Sequence, residues 1–169
     1  MTSNPSSNDT TAPTPQAPEA HLRVLRQFRL GFSAVRKHFQ AMEKRVGLGG
    51  APIWAMSLIA QRPGLRVTEL AQLMDVHQST ASNLVRSLIQ AGCVAGEKSS
   101  QDKRVTELYP LPAGHKLLRQ VPGPYAGVLP QALSELDTRT LLELESHLAQ
   151  LLGKLEVDER SAQTPMALM

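Results

Sequence analysis

The chain has 169 residues, 41% of them apolar, a size that suits one compact domain with tails. Eighteen Lys and Arg against fifteen Asp and Glu give +3 and a pI near 9.3, a mild basic balance that permits a polyanionic partner without requiring one. A single cysteine excludes a disulfide framework and a multi-cysteine metal site within one chain. No apolar run approaches the ~20 residues that span a bilayer, and the N-terminus lacks the basic and apolar regions of a secretory signal. The expectation is a cytoplasmic protein with no cofactor, no metal and no membrane partner.

Residues 1–20 are rich in Ser, Thr, Asn and Pro and hold no aromatic, Leu, Ile or Val, so they read as a disordered tail. Residues 158–169 read as a second tail, leaving 21–157 as the domain. Within it, Leu25, Phe28, Phe32, Val35, Phe39, Met42 and Val46 step by three and four and predict a long first helix. Its residues Arg23, Arg26, Arg29, Arg36, Lys37, Lys44 and Arg45 make it basic. Gly47 to Gly50 ends it, and Pro52 suits the first turn of a second helix running to about Gln61. After Arg62-Pro63-Gly64, Val67 to Met74 predicts a short helix with Leu70, Ala71 and Met74 inward. Asp75-Val76-His77 is a tight connection to a helix from Gln78 to Ala91. Cys93 to Lys98 and Val105 to Tyr109 predict a hairpin with an exposed tip. A helix opens at Ala113, is broken by Pro122, Gly123, Pro124 and Pro130, and gives way to an acidic segment. There Leu141, Leu144, Leu148, Leu151 and Leu155 repeat the three-four step, with Leu142 and Leu152 widening it. Two long seams of opposite charge call for partner helices, in one chain or between two.

Two short helices and a hairpin in this order make a winged helix-turn-helix, and the fold class is mainly α with a small β wing. On the second of the two helices, Ala81, Leu84, Val85 and Leu88 face inward, while Gln78, Ser79, Ser82, Asn83 and Arg86, with Thr80 at the edge, face out. There is no carboxylate from Gln78 to Gly92. Short hydrogen-bonding side chains and Arg suit the base edges and phosphates of a major groove. Lys98, Lys103 and Arg104 flank the hairpin tip and can reach a phosphate backbone or a narrow minor groove, whereas Asp102 suits DNA only by orienting a neighbouring Arg.

The runs Leu65-Arg-Val-Thr-Glu-Leu-Ala71 and Val76-His-Gln-Ser-Thr-Ala-Ser-Asn-Leu-Val-Arg-Ser-Leu88 form the core of a resemblance, with Ala91-Gly-Cys-Val94, Asp102-Lys-Arg104 and Ala113-Gly114. They resemble the MarR family of bacterial transcription regulators. The resemblance implies a homodimer held by helices within 21–48 and 113–157, with 51–112 as the DNA-binding region. It makes Arg104 the minor-groove Arg of an Asp-x-Arg pattern, held by Asp102. It implies a double-stranded, pseudo-palindromic DNA target, a repressor role, and release by a small aromatic or phenolic effector. The effector pocket would lie between the first, second and fifth helices, with Arg36, His38, Phe39, Met42, Trp54 and Tyr125 as its wall. This chain has Ala95, Gly96 and Glu97 where the family often has a basic residue, and Leu111-Pro112 where it often has Leu-Thr.

An enzyme would need convergent nucleophile, base and acid groups, and none is spaced for it. Cys93 has no His near it and sits in an apolar run, and the histidines at 21, 38, 77, 115 and 147 form no i, i+4 pair. Two alternatives to the DNA-binding regulator stay open: a winged-helix module that binds protein, and a redox-responsive regulator using Cys93.

Overall fold

The computed structural model describes residues 17–100, 102, 104–158 and 162–168. Helix α1 (Ala17–Val46) begins inside the segment expected to be a disordered tail. Pro18 and the acidic Glu19 stand in its first turn, where a missing N–H and a negative charge both favour helix. Residues 1–16 lie outside the described residues.

The chain divides into two units, residues 1–33 and residues 34–169. In the first, Phe28 and Phe32 stack with ring centroids 6.2 Å apart, and Arg23 pairs with Glu19 at 3.8 Å. Leu22, Leu25, Leu30 and Phe32 are exposed.

The second unit is organised around α2 (Gly50–Gln61), which buries Ile53, Ala55, Met56 and Ile59 completely. A helix buried nearly all round is the centre of a core rather than its cover. Ser57 stays inside because its hydroxyl donates to Trp54 O at 2.7 Å. The α1 seam continues here with Val35 and Met42 buried and Phe39 and Val46 packed on the core. A two-residue strand, β1 (Leu65–Arg66), precedes α3 (Val67–Leu73) and was not expected from the sequence. Such a strand is too short to show alternation; it forms because β3 offers it an edge. Glu69 reaches back to accept from Arg66 N at 2.8 Å, closing the first turn of α3.

Asp75 at φ 51° turns the chain into α4 (Gln78–Gln90), whose Ala81, Leu84, Val85 and Leu88 are buried as expected. Strands β2 (Val94–Lys98) and β3 (Thr106–Pro110) form the wing in an antiparallel sheet of order β1-β3-β2. The register sets Leu65 and Gly96 beside Leu108, and Arg66 and Glu97 beside Glu107.

Helix α5 (Pro112–Gln120) lies close against the wing root. A Cβ on Gly114 would stand 2.5 Å from both Cys93 O and Met56 Cε, so only glycine allows that approach. The prolines break the helix outright. Pro122 to Gly127 is irregular, with a cis Gly123–Pro124 bond, before α6 (Val128–Ser134) and α7 (Thr138–Leu152). Asp137 caps α7, accepting from Thr140 N at 3.0 Å.

The second expected tail is partly ordered. Residues 162–168 include a 3-10 turn at Met166–Leu168, with Pro165 buried and Ala167 packed on the core. Its small apolar residues bury area that the local sequence pattern does not advertise.

Candidate nucleic-acid interface

α4 is held by its apolar face, and its other face is left to solvent. Gln78, Ser79, Asn83 and Arg86 are exposed, and Thr80 and Ser82 are half-buried at the margins. Ser82 Oγ donates to Gln78 O at 2.8 Å, so its hydroxyl is folded back along the helix. Arg86 Nη1 donates to Asn83 Oδ1 at 3.1 Å, one turn away. No side chain caps the start of α4, so the backbone N–H groups of its first turn remain available to an acceptor. The face therefore carries one full positive charge, several neutral donors and acceptors, and no carboxylate.

The wing tip is built on Asp102. Its Oδ1 accepts from Arg104 N at 2.9 Å and lies 3.6 Å from Arg104 Nε, while its carbonyl accepts from Val105 N at 2.9 Å. One carboxylate thus closes the turn and stands beside the guanidinium of Arg104, whose side chain remains 94% exposed. Lys98 is exposed and points across the strands to Thr106 Oγ1 at 3.5 Å. Lys103 falls outside the described residues. Helix and wing are parts of one packed body: α4 meets α2, α3 and β2.

A group at the wing root was not legible in the sequence. Glu107 takes hydrogen bonds from Ser99 and from Tyr109, the latter at 3.0 Å, and these hold its carboxyl below its ordinary value. The same bond raises Tyr109. Glu97 stands directly opposite Glu107, an unfavourable pairing that Arg66 on the other neighbouring strand offsets. Only the register brings residues 66, 97, 99, 107 and 109 together.

Cys93 is 4% exposed, and burial pushes its thiol up, which disfavours the thiolate that redox sensing needs.

The six residues expected to wall an effector pocket do not gather at one recess. A recess of about 170 Å³ does lie on the core, with Phe39 of α1 and Trp54 of α2 in its wall. The other four expected residues do not line it. Met42 is buried in the core at 2% exposure, and Arg36 faces solvent. His38 Nε2 meets Pro124 O at 2.9 Å, and Tyr125 donates to Leu118 O at 3.1 Å, so both rings brace the irregular segment after α5. The far wall comes from Gly127, Val128 and Leu129 at the start of α6 and from the C-terminal residues, not from α5. Gly127 takes φ 107°, and a Cβ there would come 2.8 Å from Phe39 Cζ.

Comparison with known proteins agrees with this arrangement. Residues 46–105 match the family model described as MarR family. The chain is 25% identical over 121 residues to the HTH-type transcriptional repressor MdtR of Bacillus subtilis (strain 168), covering 72% of this chain and 77% of MdtR. Among solved structures, the S. aureus MepR–DNA complex superposes with a TM-score of 0.54 at 18% identity, over 82% of this chain and 98% of that one. The YusO protein from Bacillus subtilis gives 0.52 at 18% identity, over 83% and 99%. At these identities the superpositions show the fold.

Proposed function

We propose that this chain, a member of the MarR family of transcription regulators by the match over residues 46–105, binds double-stranded DNA as a homodimer and acts as a repressor. The observation that carries the reading is the carboxylate-free outer face of α4 packed against a wing whose Arg104 pairs with Asp102. In this reading α4 enters a major groove, with Gln78, Ser79, Thr80, Ser82, Asn83 and Arg86 at base edges and phosphates. Lys98 and Lys103 meet the backbone, and Arg104 enters the flanking minor groove. The likeness to a MepR–DNA complex supports it, as does the repressor role of MdtR.

The homodimer rests on apolar surface that one chain leaves uncovered. α7 buries none of its residues, and Leu142, Leu144, Leu151, Leu152 and Leu155 are exposed, as are Leu25 and Phe32 of α1. A two-fold dimer pairs with a pseudo-palindrome whose half-sites lie about one helical turn (~10 bp) apart. A small aromatic or phenolic effector would bind against Phe39 and Trp54. Among the described residues Asp75 is the one formally charged group lining that recess, so a neutral molecule suits it better than a carboxylate.

The test is a mobility-shift titration against selected and random duplexes at several salt concentrations. Regulator binding predicts tighter binding to the selected duplex and a falling affinity with salt. Equal affinity for both, untouched by substitutions at residues 78–86, would overturn the reading in favour of a protein-binding winged helix.

A further inference from the structure

The residues beyond α7 come back to the core. Pro165 is buried, Met166 and Ala167 are half-buried, and Leu168 N donates to Pro165 O at 2.8 Å to close the turn that presents them. Ala162, Thr164, Pro165 and Met166 line the recess together with Phe39 and Trp54. Next to them, Gln163 lies in a shallow groove with Asp75, His77 and Gln78, at the turn that joins α3 to α4. Asp75 borders both the recess and the groove.

The chemistry of the segment matches the site. Residues 162–168 read Ala-Gln-Thr-Pro-Met-Ala-Leu, with no charge to desolvate. Pro165 limits the backbone freedom lost on docking, and Met166 is a flexible thioether suited to an irregular apolar gap. We propose that residues 162–168 are a tethered peptide docked on α2 as a removable wall of this recess, which a neutral apolar molecule larger than the recess must lift away to seat against Trp54. The effector-competing role rests on the effector reading above; the docking itself does not, and it is measured without DNA.

Tethering gives such a segment an effective concentration of order millimolar. A segment seated nine-tenths of the time weakens an incoming ligand about tenfold, because only the open fraction binds. Trp54, the single tryptophan, supplies the signal. The probe is N-phenyl-1-naphthylamine, neutral and excitable by energy transfer from tryptophan. The 169-residue protein carrying Met166→Lys should bind it about tenfold more tightly than the unsubstituted chain, with transfer from Trp54. A synthetic peptide of residues 162–169 at roughly millimolar concentration should reverse that gain. Far-UV circular dichroism monitors the fold. If Met166→Lys unfolds the protein, a chain ending at Asp158 is compared with the wild type in the same way. Equal probe affinity with and without the seated segment, or a gain that the peptide leaves unchanged, would overturn the proposal.

Discussion

Asn83 and Arg86 hold each other in the free protein, and that decides how their loss should read. Binding DNA exchanges their 3.1 Å bond for contacts to bases. Arg86→Ala and Asn83→Ala should each cost ~1–3 kcal/mol on a selected duplex and much less on random DNA. Because the two act as a pair, the double variant should lose less than the sum of the singles. Mobility shifts on both duplexes check this, and strict additivity would mean the residues act apart. At the wing, simple Coulomb reasoning says that removing the Asp102 carboxylate should help binding to a polyanion. The turn geometry predicts the reverse: Asp102→Ala frees Arg104 and loosens the tip, so affinity should fall most on A·T-rich flanks. At Gly114 the constraint is purely steric. Gly114→Ala puts a methyl where Cys93 O and Met56 Cε already stand, and should lower stability by ~1–3 kcal/mol in denaturant unfolding.

At the scale of elements, the first and last helices behave differently from the middle of the chain. The α1 seam is one periodic pattern in the sequence, yet its residues have two fates. Val35 and Met42 are core, while Leu25 and Phe32 stay exposed. Period alone cannot separate these, since a heptad says that a partner is wanted and not whose it is. If the proposed homodimer uses this face, Phe32→Glu should dissociate it in sedimentation while leaving the melting of the chain's own core nearly unchanged. A dimer that survives this substitution would place the interface elsewhere. α7 is stopped and started by local chemistry, with Asp137 as its cap, but none of its leucines is fully buried among the described residues.

For the whole molecule, the shifted groups set the pH range of stability. Glu107 and Asp137 are held below their ordinary values of 4.5 and 3.8 by hydrogen bonds, Ser99 being the largest cause for the first and Thr140 for the second. Each therefore contributes stability that is present above those values and lost as pH falls through the depressed ones. Tyr109, raised above 10.0 by its bond to Glu107, and Cys93, raised above 9.0 by burial, act in the opposite direction. Their contribution is present below those values and lost as pH rises past them. Thermal melting should thus show a plateau between about pH 5 and 9 that falls on both sides, and Glu107→Gln should blunt both limbs. An unchanged alkaline limb in that variant would show that Tyr109 is not coupled to Glu107.

The sequence by itself determined the parts whose information is local. The inward and outward faces of α3 and α4, the breaks at Pro63 and Pro122, and the exposed tip around Asp102 follow from periodicity and turn chemistry within a few residues. Those same runs carried the resemblance, and residues 46–105 are where the family model matches. Tertiary structure alone decided whatever depended on distant segments meeting. It made a strand of Leu65–Arg66 by setting it beside Leu108 and Glu107, and it gathered Ser99, Glu107 and Tyr109 at the wing root. It also set Phe39, Trp54, the start of α6 and Ala162, Thr164, Pro165 and Met166 around one recess. Short apolar pieces such as Pro165 to Leu168 carry no period of their own; their burial is settled by the shape of the surface they meet.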